Sequence, residues 1–297
     1  MFEGYETRRA AVGDTELFVR SGGQRGGPPL LLLHGYPQTH AMWQRVAQRL
    51  ADRYFLVMPD LRGYGRSAKP EGAPDHANYS KRAMAADMLA LMRSLGHERF
   101  FVTGHDRGAR VAHRLALDHP GAVAKLCVID IVPTLTMYER TDMAFASAYY
   151  HWFYLIQPRP LPEHQIGADP KFYLHWKLSG WGSKNLAFIE PEALADYEAG
   201  FCTPEGVHAT CEDYRASASI DLEHDRASRA AGHKVACDLR VLWGERGVVA
   251  RLFDPLADWQ DACSGRVDGR ALAAGHFLAE ELPEATAAEL AAFFATG

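Results

Sequence analysis

The chain of 297 residues is 47% hydrophobic and 23% charged, and its 32 Lys and Arg stand against 37 Asp and Glu, a formal net charge of −5. With a pI of about 6.3 and no basic run, it carries no electrostatic footprint for nucleic acid, so an anionic partner must meet a local cationic pocket. Its five cysteines (Cys127, Cys202, Cys211, Cys237 and Cys263) include no C-x-x-C pair, which argues against a disulfide framework and a thiolate zinc site and makes a reducing cytoplasm the simplest setting. Met1 to Glu6 holds acids where a signal peptide is basic, and no apolar stretch approaches the roughly 20 residues that span a bilayer, so neither secretion nor membrane insertion is expected.

Taken in chain order, short apolar runs at Pro29–Leu33, Tyr54–Met58, Phe100–Thr103 and Leu126–Ile131 predict buried strands. A helical pattern with Met84, Met88, Leu91, Met92 and Leu95 fills Tyr79–Leu95, so strands and helices alternate as they do around a parallel sheet. From Thr134 to about Gly232 the pattern becomes aromatic-rich and helical, without a convincing strand. Strands resume at Arg240–Trp243 and Val267–Leu272, and a last helix is expected over Ala285–Phe294. These elements divide the chain into an α/β core over residues 1–133 and 234–297 with a helical insertion, a cap, over 134–233.

The strand at Phe100–Thr103 runs into Gly104-His105-Asp106-Arg107-Gly108 and then a helix. This is the G-x-nucleophile-x-G elbow, a strained turn that lifts one side chain above a sheet beside a helix N-terminus. Here that side chain is a carboxylate. Displacement at a saturated carbon by serine would leave an ether that water does not readily cleave, whereas Asp106 leaves an ester that is hydrolysed at its own carbonyl. That second step needs a base and an oxyanion hole, for which the backbone N–H groups of Tyr36 and Arg107 are the candidates.

The elbow, together with His34-Gly35-Tyr36-Pro37, Asp60-Leu61-Arg62-Gly63-Tyr64-Gly65-Arg66-Ser67 and Gly275-His276-Phe277, resembles the α/β-hydrolase family in order and context over nearly the whole chain. The resemblance implies a mostly parallel sheet flanked by helices and makes His276 the base. For the acid that orients it, Asp130, at the end of the strand after the elbow helix, is expected in preference to Glu245, because triads are defined by geometry and not chain order.

Arg107 and Arg110 stand three apart at the start of the elbow helix and can lean over one face toward Asp106. An anionic nucleophile attacking an anionic substrate needs charge compensation, and the planar guanidinium suits a carboxylate. Asp106-Arg107-Gly108-Ala109-Arg110, with Asp130-Ile131-Val132-Pro133, His151-Trp152, Cys211-Glu212-Asp213-Tyr214-Arg215 and Gly275-His276-Phe277-Leu278, is similar to the narrower family of fluoroacetate (haloacetate) dehalogenases. That resemblance implies halide donors at His151, Trp152 and Tyr214, a pocket wall at Trp181, a small haloacid substrate, a homodimer and no cofactor. Imidazole, indole and phenol each offer a hydrogen-bond donor to a departing halide. Tyr36 stands where phenylalanine is expected in many relatives.

Two other readings compete. An epoxide hydrolase would use the same aspartate with cap tyrosines, for which Tyr150, Tyr154 and Tyr214 are available, but leaves the arginine pair without a task. A non-catalytic small-molecule receptor could be built on this fold, although Asp106, Asp130 and His276 standing together argue against it. The fourteen histidines form no H-E-x-x-H or comparable metal-ligand set.

Overall fold

A computed structural model describes residues 1–295. Eight strands form one sheet in the order β1-β2-β4-β3-β5-β6-β7-β8. They are β1 (Glu6–Val12), β2 (Thr15–Gly23), β3 (Pro29–Leu33), β4 (Phe55–Pro59), β5 (Phe100–His105), β6 (Val123–Ile129), β7 (Asp238–Gly244) and β8 (Val267–Leu272). From β4 onward across the sheet every pairing is parallel, while β1, β2 and β4 pair antiparallel. The central strands are continuous apolar runs because helices cover both of their faces. Leu30 to Leu33 and Leu126 to Ile129 are fully buried.

The six strands expected from apolar runs are present, with ends displaced by a few residues. The hairpin of β1 and β2 is additional. Its turn is Gly13-Asp14, with Gly13 at φ +53°, a two-residue connection whose left-handed backbone suits glycine. Strand β1 is almost wholly exposed, and Glu6, Arg8 and Arg9 line this open edge, where charge discourages pairing with another chain. An exposed edge strand has no apolar run to announce it.

Between β6 and β7 the described residues form eight helices from Thr134 to Ala230, including the short His151–Tyr154 and the longer Pro170–Trp181 and Pro204–Ala218. This segment carries aromatic side chains to the loops that follow β3, β5 and β8. Tyr36 after β3 packs against His151 and Tyr214 at ring separations of 6.0 and 5.3 Å, and Trp181 lies 5.7 Å from the ring of His276. The sheet's C-terminal edge and the helical segment thus enclose one polar centre, the place where open α/β sheets carry their sites. No helix among the described residues is long and apolar enough to cross a membrane.

Candidate active site

Strand β5 ends at His105, and Asp106 opens the helix Asp106–Asp118 with φ +46°. Left-handed backbone at a non-glycine residue costs on the order of 1–3 kcal/mol and persists only where the surroundings enforce it. Here the surroundings require glycine on either side. A Cβ on Gly104 would stand 2.5 Å from the Ala109 backbone, and one on Gly108 would stand 2.3 Å from the His34 carbonyl oxygen. The turn therefore closes only with both glycines, and it projects Asp106 toward the loop after β3.

There the Tyr36 N–H donates to Asp106 Oδ1 at 3.0 Å. His34 fixes that loop. Its Nε2 accepts from the Leu61 N–H at 3.0 Å, so the proton lies on Nδ1, 3.0 Å from the Gly35 carbonyl. Burial pushes the His34 imidazole down, consistent with this neutral form. Asp106 itself is buried. Desolvation works against its charge, but the charges of His276, His105, Arg110 and Arg107 outweigh that penalty and hold it below the usual carboxylate range.

His276 Nδ1 lies 2.5 Å from Asp130 Oδ2. Asp130 directly follows β6 at φ +54°, and its other oxygen accepts from the Gly244 N–H at 2.9 Å, so the carboxylate is held from two sides. Burial opposes a charged His276, yet the hydrogen bond and charge of Asp130, then the charge of Asp106, raise it above the ordinary histidine value. Glu245, the alternative acid, is exposed. His105, one residue before the carboxylate, adds a connection absent from the sequence reading. Its Nε2 donates to the His276 carbonyl at 2.9 Å, with the rings 4.5 Å apart, tying the two loops together.

The two arginines differ in a way their spacing does not reveal. Arg107 is fully buried against Asp213, with Nε to Oδ2 at 3.0 Å and Nη2 to Oδ1 at 2.7 Å, and its guanidinium lies 4.2 Å from the centre of the Tyr214 ring. Asp213 also receives Lys81 Nζ and the Tyr64 hydroxyl. Breaking such a buried pair costs about 3–5 kcal/mol. Arg107 therefore does not present a free fork; its one unpartnered nitrogen is Nη1. Arg110 donates to the Thr134 hydroxyl at 2.8 Å and to the Val132 carbonyl at 3.3 Å, and lies 4.7 Å over the Trp152 ring. It has no carboxylate partner among the described residues, and its Nε is unpartnered. Arg110 is thus a buried cation that feels the charge of Asp106 but forms no salt bridge among the described residues.

Asp213 was legible only as part of a motif. The signal that could have found it is general: a buried arginine needs a counter-ion, and Asp213 precedes Tyr214 on the same helix.

His151, Trp152 and Tyr214 come together over the elbow, with ring centres of His151 and Tyr214 5.4 Å apart and those of Trp152 and Tyr214 6.5 Å apart. Trp181 packs 4.5 Å from His151. The Tyr214 hydroxyl and His151 Nδ1 are buried and unpartnered. Burial, then the charges of Lys177 and Arg107, push His151 well down, so its ring is neutral and retains one N–H. The epoxide candidates fare differently: Tyr150 is 41% exposed, and the Tyr154 hydroxyl donates to Gln165 at 2.9 Å. Of the three tyrosines proposed for that role, only Tyr214 stands at the centre.

A strained elbow bearing a buried carboxylate, a backbone N–H on one of its oxygens and a histidine paired with a second aspartate define a hydrolase-type centre at the C-terminal edge of a parallel sheet. The chain belongs to the α/β-hydrolase fold family, which it matches over residues 28–283. Among relatives it is similar to a fluoroacetate dehalogenase of Burkholderia sp, 47% identical over 99% of this chain and 95% of that protein. It is more distantly similar to a soluble epoxide hydrolase of Corynebacterium sp. (strain C12), 29% identical over 91% of both chains. A solved structure from Nostoc sp PCC 7120, described as an α/β hydrolase, superposes with a TM-score of 0.96 at 50% identity over all of both chains.

Proposed function

We propose that the protein hydrolyses a small 2-haloacid, a haloacetate, to the 2-hydroxy acid and halide. The observation that carries this reading is Arg110: a buried guanidinium without a carboxylate partner, close enough to Asp106 that its charge lowers that carboxyl. Arg110 feels the charge of Asp106 without forming a salt bridge, and its undonated Nε leaves a place for a second anion, which a haloacetate carboxylate supplies. A neutral epoxide does not.

In the first step an Asp106 carboxylate oxygen attacks the halogen-bearing carbon. The carbon–halogen bond breaks, and the halide leaves with its electron pair among the Tyr214, His151 and Trp152 donors. The substrate carboxylate takes the free donors, Nε of Arg110 and Nη1 of Arg107. In the second step His276 removes a proton from water as it adds to the Asp106 ester carbonyl. The oxyanion then falls where the Tyr36 N–H already holds an oxygen, with the Arg107 N–H in the helix's first turn as second donor. Collapse of the tetrahedral intermediate expels the alkoxide, which takes the proton from His276 and leaves as the hydroxy acid, and the carboxylic acid left at Asp106 releases its proton to solvent, restoring the carboxylate. Asp130 keeps the imidazole oriented and stabilises its charged form. The chain's own groups supply each of these steps.

The reading is tested by halide release from purified protein given fluoroacetate and chloroacetate separately. Fluoride and chloride release are both expected; no halide from either, with diol formed from an epoxide, would replace this reading with the epoxide one. The contribution of Arg110 is tested separately. A charge-assisted hydrogen bond is worth about 1.5–3 kcal/mol, so Arg110→Met is expected to lower kcat/KM for chloroacetate on the order of ten- to hundredfold, mostly through KM. An unchanged KM would remove Arg110 from substrate binding. The homodimer and cytoplasmic location that accompany this reading are checked by light scattering and by cell fractionation.

A further inference from the structure

A cavity of about 610 Å³ opens beside the centre and reaches His276, Trp181 and Tyr149, but not Asp106 or Arg110. Four cations line it, Lys177, Lys184, Arg246 and Arg251, and no carboxylate does. Arg246 is matched by Glu281 at 3.4 Å and by the Ala273 carbonyl, while the other three have no acidic partner among the described residues. A second hollow of about 140 Å³, behind the elbow helix among His113, Asp225 and Arg229, touches none of these groups.

Lys177 is the unusual member. It is 2% exposed, on the helix Pro170–Trp181, and its ammonium is surrounded by aromatic faces: Tyr150 at 3.5 Å, Trp181 at 5.0 Å and Tyr173 at 5.4 Å from Nζ to ring centre. Ring faces attract a cation through their quadrupole, but they do not neutralise it. Burial accordingly pushes the ammonium down to about 7. Lys177 lines the outer cavity, and Trp181, whose ring centre is 5.0 Å from its Nζ, packs 4.5 Å from the ring of His151 in the inner centre, so one indole separates Lys177 from that centre.

We propose that this cavity is a second anion-binding subsite, in which Lys177 takes the carboxylate of a small organic acid before it passes Trp181 to Arg110, and again as the hydroxy acid leaves. The proposal rests on the haloacid reading of the inner centre for the identity of the acid. Its physical basis is independent of that chemistry: a cavity of about 610 Å³ whose lining holds four cations and no carboxylate, one of the cations buried and without an acidic partner, lowers the free energy of any small carboxylate inside it.

Acetate, which carries the carboxylate without a leaving group, is the probe. Calorimetric titration of the wild-type chain is expected to show two acetate sites, with one lost in Lys177→Met and restored in Lys177→Arg. With chloroacetate, Lys177→Met is expected to raise KM about tenfold while kcat changes less than about twofold, the split that marks a binding contribution. Unchanged acetate stoichiometry together with unchanged KM in a folded Lys177→Met protein would overturn the subsite. Should that variant not fold, Lys184→Ala with Arg251→Ala is expected to weaken the outer acetate site alone, and undiminished binding there would overturn it equally. Two acetate sites without halide release from chloroacetate would sink the haloacid reading and leave the subsite standing. Halide release with a single acetate site would do the reverse.

Discussion

Asp106→Asn is expected to abolish halide release from fluoroacetate and chloroacetate, by on the order of 10⁴-fold or more, since removing a nucleophile leaves only binding and the remaining electrostatics. The amide is nearly the shape of the carboxylate, and its oxygen can still accept from the Tyr36 N–H, which in the wild type reaches Oδ1 at 3.0 Å. Loss of activity with an unchanged thermal midpoint therefore isolates the chemistry from the fold. The variant also removes a buried negative charge that Arg110 senses, so substrate affinity is expected to hold or tighten. Substantial halide release, with Asp106→Asn verified by mass spectrometry after the assay, would show that the carbon–halogen bond is broken by something other than this carboxylate.

His276→Asn is expected to separate the two steps. Displacement needs the Asp106 carboxylate and a place for the halide, not a base, so the variant releases one halide per active site and stops. The ester then accumulates and is visible as a carboxymethyl adduct on the peptide containing Asp106. Steady turnover falls on the order of 10³–10⁴-fold. Asp130→Asn is expected to act in the same direction because Asp130 lies 2.5 Å from His276 Nδ1, while Glu245→Gln, at an exposed position, leaves turnover intact. The opposite pattern, with Asp130→Asn turning over and Glu245→Gln inactive, would exchange the two acids.

The same separation governs pH. As the proposed base, His276 must be neutral to act, and that form is lost as pH falls through its pKa, which Asp130 and Asp106 raise in the free protein despite burial. Once Asp106 is an ester its negative charge is gone, and one of the influences raising His276 goes with it. The acid limb of kcat is therefore expected below the His276 pKa that NMR titration of the free protein gives. The single burst of halide should persist beneath that limb, because Asp106 is held in its charged form by its neighbours. A burst that disappears together with turnover would mean that the first step also needs neutral His276.

How much of this was legible in the sequence follows the range of the interactions. The buried strands at Pro29–Leu33 and Phe100–His105 announce themselves as the apolar runs Pro29–Leu33 and Phe100–Thr103 because helices cover both faces of a parallel sheet. Gly104 and Gly108 mark the elbow because any Cβ there collides with backbone. By contrast, β1 carries Glu6, Arg8 and Arg9 on an exposed edge and leaves no periodic signal. The identity of residue 106 as aspartate by itself points to the ester route proposed above, a property of one side chain that needs no fold to state.

What only the tertiary structure decided is which groups share a charge. Arg107 and Arg110 read alike along the chain, yet Arg107 is matched by Asp213, 106 residues away, and Arg110 by no carboxylate among the described residues. Asp130 meets His276 across 146 residues, and Lys177 finds aromatic faces in place of a counter-ion. A residue's type, a turn's sterics and an apolar period are local properties, written in consecutive positions. Pairing, desolvation and the resulting pKa shifts depend on distances across the folded chain, which the order of residues along it does not specify.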